Sequence, residues 1–239
     1  MIAVGCIALL GALTATARTP VSAVSSLPIF SSQPIFSFLP MLSSLPMLSS
    51  LPIYGVDLQG RPVSNLALSG PTIVLFFLAT DCPISNRYLP EIERLRSTFA
   101  GRGVSFWQVY PNATETLASI REHQRSFPST LPVLIDPTQH TSTLTGAGIT
   151  PEAAILTLDH GSLQPVYLGR IDNRFVSIGV ERPHATRHDL EDALVAVLAH
   201  RPAPQPTDRP THQPTDRPAD RNIPLRRTSA VGCGIVRQP

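Results

Sequence analysis

The sequence predicts one α/β domain with a mixed central sheet, spanning residues 53–200 of a 239-residue chain, between two segments of biased composition. Three observations point there. Apolar, β-rich runs alternate with helix-period stretches as strand-helix-strand-helix-strand, and two further strand signals and a helix close the segment. Ahead of it, "SSLPIF SSQPIF SFLPML SSLPML SSLPIY" at 25–54 repeats a six-residue unit. Behind it, "QPTDRPTH QPTDRPAD" at 205–220 repeats again. Recurrent proline removes a backbone donor and fixes φ, so neither flank continues as a helix or a central strand. An extended spacer is expected over 18–52 and a disordered Pro/Arg-rich tail over 201–239.

Within the domain, "YGVDLQGRPVSNLAL" at 54–68 places a glycine-punctuated turn between two short strand-like pieces. "TIVLFFLAT" at 72–80 is the continuous apolar run of a strand covered on both faces. In "YLPEIERLRSTFAGRG", Leu89, Ile92, Leu95 and Phe99 share one helical face, with Pro90 expected in the first turn and Gly101 at the stop. "VSFWQVYP" is the next strand, its Trp107 and Tyr110 expected to divide between core and surface. Asn112 and Glu115 are spaced as a capping box for a helix carrying Leu117, Ile120 and Phe127. "LPVLIDP" predicts a third strand, and a short helical piece from Thr141 to Leu144 follows, ended by Gly146. "TPEAAILTLD" and "QPVYLGRID" read as a strand pair joined through "HGSL". Thr186 and Asp189 are placed to cap a last helix whose Leu190, Ala193, Leu194, Val197 and Leu198 face inward.

Charge is nearly balanced, with 19 basic and 17 acidic residues, and every basic residue is Arg. The tail from Arg201 holds seven Arg against three Asp, enough for weak contact with acidic surfaces. No basic stripe with interleaved aromatics is present, which argues against nucleic acid as a partner. The N-terminus, "MIAVGCIALLGALTATA", is apolar and closes on Ala15-Thr16-Ala17, the small-x-small pattern of a signal-peptide cleavage site, although it lacks a basic leading region. A signal peptide over 1–17 and an exported, periplasmic or extracellular location are expected. Cleavage would leave Cys82 and Cys233 as the only thiols, in a compartment where a disulfide persists. The apolar repeats behind the signal keep proximity to a membrane in view.

In "ATDCPISNRY" at 79–88, Cys82 stands just past the end of the apolar strand and at the start of a helix. Amides and dipole at a helix N-terminus stabilise an anion, so a thiol there ionises more readily and becomes a candidate nucleophile. The alternative is an inert buried cysteine.

The stretches "DCPISNRYLPE" and "ITPEAAILTLD", with the closing hairpin and helix, resemble the thioredoxin-like fold over about 53–200, and within it the redoxins, which include peroxiredoxins and exported thiol-disulfide oxidoreductases. The resemblance implies a three-layer α/β/α domain in which a cis-proline faces the active thiol; Pro151, after Thr150, occupies that place. It also implies a thiol or disulfide protein as electron donor or substrate, or a small peroxide, with no cofactor and no metal. Two departures bear on mechanism. The second cysteine of a C-x-x-C site is Ser85 here, and that of the C-x-x-x-C copper chaperones is Asn86. Where peroxiredoxins carry Thr or Ser and Pro ahead of the reactive cysteine, this chain has Ala79 and Leu75.

Cys82 therefore has no local partner, and Cys233, in "TSAVGCGIV", is the remaining candidate. The 33 residues from His200 to Cys233 would span about 30 Å as a flexible chain, enough for the arm to reach Cys82 and resolve an adduct on it. Arg87 and Arg170, the latter near Asp172 and Arg174, could place positive charge beside the thiolate. Asp81 is expected to face solvent or to cap the helix. Among the histidines only His184 and His188 are spaced as a metal edge, and only if both are helical. The rival to a redox enzyme is a binding module of the same fold, either a copper carrier through Cys82 or a redox-inactive domain.

Overall fold

The computed structural model describes residues 52–200 and 224–237. The expected signal peptide, nearly all of the repeat spacer and the tail repeats lie outside the described residues.

A short hairpin of β1 (Gly55–Val56) and β2 (Pro62–Val63) leads into β3 (Thr72–Phe77), in which every residue is buried. Burial on both faces is what an unbroken apolar run requires. Helix α1 (Pro83–Thr98) crosses to β4 (Val104–Tyr110), and α2 (Leu117–Ser126) crosses to β5 (Val133–Ile135). The short α3 (His140–Thr145) ends on Gly146, whose φ of 80° is left-handed, and leads into β6 (Ile149–Thr150). Strands β7 (Glu152–Asp159) and β8 (Ser162–Gly169) form the long hairpin. A small hairpin of β9 (Phe175–Ser177) and β10 (Val180–Glu181) precedes α4 (Asp189–Ala199). Two more strands, β11 (Arg226–Arg227) and β12 (Cys233–Gly234), come from the tail.

The main sheet runs β11-β8-β7-β3-β4-β5-β1-β2. Strands β3, β4 and β5 are parallel, linked by the helical crossovers, while β7 pairs antiparallel with both β3 and β8. On one face Val74, Phe76, Phe106 and Ile155 pack against Leu89, Ile92 and Leu95 of α1, Ile120 of α2, and Leu190 and Leu194 of α4. On the other, Ile73, Leu75, Phe77, Trp107 and Leu156 are covered by Leu66, Ala147 and Ile235, with Leu144 of α3 half-buried beside them. This is the mixed-sheet, thioredoxin-like α/β architecture that the sequence resembles. No helix among the described residues is long and apolar enough to cross a membrane.

Several local expectations are corrected. Pro90 lies inside α1, not in its first turn, because the helix already starts at Pro83, and it sits on the exposed side of the helix. The capping box of α2 is Thr116 with Ser119, so Asn112 and Glu115 are released for other work. Helix α4 is capped at His188, and Thr186 instead bonds Asn173. Trp107 and Tyr110 are both buried, Trp107 donating to the Leu66 carbonyl and Tyr110 bonding His123. The tail departs most from expectation. Residues 224–237 form two strands, β11 parallel to β8 and β12 antiparallel to β6, in place of continuing a disordered spacer.

Candidate functional site

Strand β3 ends where Leu78, Ala79 and Thr80 carry the chain out of the sheet, and Cys82 is the N-cap of α1 with extended φ and ψ and no side-chain cap of its own. Its amide donates to the Ala79 carbonyl, and its own carbonyl accepts from Asn86 as the helix begins. Cys82 is 0% exposed. The thiol lies 3.2 Å from the Thr150 carbonyl oxygen, and the Thr150-Pro151 bond is cis. The three residues that the resemblance set against one another are thus together.

Cys233 joins them. Strand β12 pairs with β6 in a register that puts Cys233 opposite Thr150 and Gly234 opposite Ile149. The Cys233 thiol points at Cys82 with the sulfurs 2.8 Å apart, both cysteines being free. The seat is built to fit this segment. A Cβ on Gly232 would come within 2.1 Å of the Thr150 oxygen, so glycine is required for the close approach. Ile235 is buried in the second core face and its amide donates to the Gly148 carbonyl. At the next residue the Val236 amide donates to Asn112 Oδ1 at 3.1 Å and the Val236 carbonyl accepts from Gln139 Nε2 at 2.5 Å.

The pair is electrostatically unequal. Burial pushes the Cys82 thiol up, but hydrogen bonds from Cys233 and from the Ser85 hydroxyl and amide outweigh it, and the net shift is below the ordinary thiol value. Burial, the neighbouring Cys82 sulfur and Asp81 push Cys233 up to about 12. One sulfur is prepared to be an anion and the other to hold a proton.

The arginines are held in ion pairs. Arg87 pairs with Glu181 at 2.5 Å, and Arg170 with the buried Asp189 at 2.7 Å; neither forms a hydrogen bond with Cys82. Asp172 accepts from the Tyr88 hydroxyl, while Arg174 lies by Glu181. Asp81 is exposed and lines a cavity beside the thiols. His188 falls within 4.8 Å of Glu91 and Asp172, the single His/Cys/Asp/Glu cluster of ligand-like spacing among the described residues, and neither cysteine belongs to it. Sequence reasoning missed Ser85, Asn112 and Glu115 as neighbours of the thiol pair, and Gln139 as a partner of the arm. Their polarity was visible, but their partners are set by tertiary contacts.

A family model described as the AhpC/TSA family matches residues 46–165, half of the chain, and covers β3, the Cys82 turn, α1 and the Thr150-Pro151 bond. The chain belongs to the AhpC/TSA family. Among curated relatives of this redoxin, the thiol-disulfide oxidoreductase ResA of Halalkalibacterium halodurans is 27% identical over 121 residues, covering 50% of this chain and 66% of ResA. The fold is shared with an uncharacterized conserved protein from Geobacillus kaustophilus, at TM-score 0.56 and 21% identity over 79% of this chain and 90% of that one. It is shared as well with a hypothetical protein from Sinorhizobium meliloti, at TM-score 0.53 and 19% identity over 78% of this chain and 94% of that one. Cys233 lies beyond the stretch that the family model covers.

Proposed function

We propose that this redoxin is an exported thiol-disulfide oxidoreductase in which Cys82 is the nucleophile and Cys233 the resolving thiol. The observation that carries the reading is the tail strand: β12 lies on β6 and sets the Cys233 sulfur 2.8 Å from Cys82. Likeness to ResA supports a thiol or disulfide protein as the partner, and the N-terminal residues 1–17 support export.

In the reducing direction, the Cys82 thiolate attacks one sulfur of a substrate disulfide; a bond forms to that sulfur, the substrate S–S bond breaks, and one substrate thiolate leaves. Cys233 then loses its proton and attacks Cys82 Sγ. The mixed disulfide breaks, the second substrate thiolate leaves, and the protein carries a Cys82-Cys233 disulfide: two protein thiols are oxidised and one substrate disulfide is reduced. A donor dithiol reverses the sequence. Because Cys82 is wholly buried beneath the arm, a protein substrate reaches it only when β12 lifts from β6.

The test is non-reducing peptide mapping of the mature protein with Cys82→Ser and Cys233→Ser variants, supplied with a protein disulfide or with hydrogen peroxide. Wild type should accumulate the Cys82-Cys233 disulfide, Cys233→Ser should hold a mixed disulfide on Cys82, and Cys82→Ser should lose all turnover. Turnover that survives in Cys82→Ser would end the enzyme reading. Efficient oxidation by peroxide with no exchange toward disulfides would replace the substrate class while keeping both cysteines.

A further inference from the structure

At the β8 edge of the main sheet three arginines from three different elements converge on one carboxylate. Asp189, at the start of α4, has a side chain only 1% exposed. Arg170, just past β8, donates from Nε to Asp189 Oδ2 at 2.7 Å. Arg187, ahead of α4, donates to Oδ1 at 3.1 Å. The third, Arg226, belongs to the arm: β11 runs parallel to β8 with Arg226 opposite Tyr167, and its guanidinium stands 3.8 Å from Oδ1.

The charges in this cluster do not balance. Burial pushes the Asp189 carboxyl up, but the Arg170 hydrogen bond and the charges of Arg170, Arg187 and Arg226 outweigh it, so the carboxylate is ionised at neutral pH. Three guanidiniums against one carboxylate leave two positive charges uncompensated. The other acids of this region do not supply them. Glu191 pairs with Arg94, Asp172 accepts from Tyr88 and from the Arg174 amide, and Asp192 is exposed and forms no ion pair with the three among the described residues.

Donors are left over as well. A guanidinium carries five N–H donors in a planar fork. Arg170 and Arg187 each spend one on Asp189, and Arg226 at 3.8 Å is beyond hydrogen-bond distance. The remaining donors on Arg187 and Arg226 belong to side chains that are 60% and 47% exposed, so a ligand from solvent can reach them.

We propose that Arg170, Arg187 and Arg226 form a binding site for a phosphate-type dianion, which bridges the arm to the domain. A dianion matches the two spare charges where a monocarboxylate would leave one, and phosphate oxygens accept from guanidinium forks in paired, charge-assisted hydrogen bonds. Free phosphate and the phosphomonoester headgroup of a lipid share that chemistry. Because Arg226 comes from β11 and the other two from the domain, an anion held by all three favours the seated arm over the open one.

The first probe is inorganic phosphate, titrated calorimetrically into the full chain against chloride at matched ionic strength. Wild type should bind one phosphate, and Arg187→Gln should weaken binding about tenfold, as expected for loss of a charged hydrogen-bond donor. Both Arg187→Gln and Arg226→Gln replace exposed side chains, so melting temperatures without phosphate should match wild type. Amide hydrogen exchange then reads the bridge, since the Thr228 amide donates to the Leu168 carbonyl only while β11 is seated. At ten times its dissociation constant, phosphate should slow exchange at Thr228 by up to about 11-fold. In Arg226→Gln it should leave that exchange unchanged. The second probe is sedimentation with phosphatidylcholine vesicles, with and without phosphatidic acid. Binding to phosphatidic acid vesicles without binding of free phosphate would uphold the site and assign it to a headgroup. No binding of either probe, or equal binding by wild type and both variants, would overturn it. Phosphate that binds while Thr228 exchange stays unchanged in wild type would overturn the bridge.

Discussion

Cys82 and Cys233 meet sulfur to sulfur, but the two regions that deliver them are held by different forces. Cys82 is fixed from the core: it follows a strand whose six residues are all buried, and it caps a 16-residue helix with Ile92 and Leu95 in the same core face. Cys233 is held at the rim by a two-residue strand, one buried isoleucine and hydrogen bonds to Gly148, Asn112 and Gln139. A nucleophile needs its geometry and lowered ionisation at every encounter, so it belongs on rigid elements. A resolving thiol has to make room for a substrate and return, so it belongs on contacts that can be lost and remade. Damage to the first region should unfold or silence the protein; damage to the second should change how often the arm is seated.

The sharpest way to break that contrast is a core cavity. Phe76, 0% exposed in the middle of β3, should cost about 3–5 kcal/mol of folding stability as Phe76→Ala. Chemical denaturation should show it, with loss of thiol chemistry following unfolding. A variant that kept wild-type stability would mean that the sheet is not the foundation of the Cys82 turn.

Next comes the arm. Gly232→Ala drives a Cβ against the Thr150 carbonyl and should weaken the seating of β12 by about 1–3 kcal/mol, roughly 5- to 150-fold in the undocked population. Alkylation of reduced Cys82 should become faster as it is uncovered, while closure of the Cys82-Cys233 disulfide slows. Global stability should barely change. Unaltered alkylation would show that the arm does not control access.

The electrostatic asymmetry supplies the third test. In Cys233→Ala the hydrogen bond from the Cys233 thiol to Cys82 is gone, so the Cys82 ionisation should move up toward the ordinary thiol range, read from the pH dependence of alkylation. The sign for stability follows. A thiol whose folded ionisation is depressed contributes stability above its unfolded value, and that contribution is lost as pH falls through the folded value. Below the unfolded thiol value, where Cys233 is protonated folded or unfolded, Cys233→Ala should therefore shrink the gain in stability seen as pH rises through the folded Cys82 ionisation; above it, the substitution also removes the opposing fall that the raised Cys233 ionisation causes. An alkylation midpoint that stayed in place would assign the depression to Ser85 and the helix terminus alone.

What could be read in advance divides along the same line. Strands β3, β4, β5 and β7 and the faces of α1 and α4 were legible because apolar period and length determine them locally, and "DCPISNRYLPE" with "ITPEAAILTLD" carried the fold. The placement of Cys82 against Thr150 and Pro151 was legible through that resemblance. The strand pairing of the arm was not. Strands β11 and β12 have two residues each, too short for any periodicity, and exist only through pairing with β8 and β6. Arg87 and Arg170 were read from charge alone, and sequence spacing does not tell that their long side chains pair with Glu181 and Asp189. Glu115 fitted a capping-box spacing, and only the observed cap at Thr116 freed it for the cavity.

The smallest effect gives the cleanest separation of the two regions, because it compares two side-chain deletions of similar size a few residues apart. Thr116 caps α2 by accepting from the Ser119 amide, and Asn112 Oδ1 accepts from the Val236 amide of the arm. Thr116→Ala should lower folding stability by about 1 kcal/mol and leave the rate of Cys82 alkylation unchanged, since the cap touches only the helix. Asn112→Ala removes one hydrogen bond between arm and domain, worth about 1 kcal/mol, or roughly fivefold in the undocked population. Its unfolding midpoint should stay near wild type while alkylation of Cys82 speeds up by that factor, because the open state reached is one in which only β12 has left. If both variants lowered stability and neither changed alkylation, arm and domain would unfold as one cooperative unit. The arm would then be part of the core, and a substrate would have to reach Cys82 by some route other than the lifting of β12.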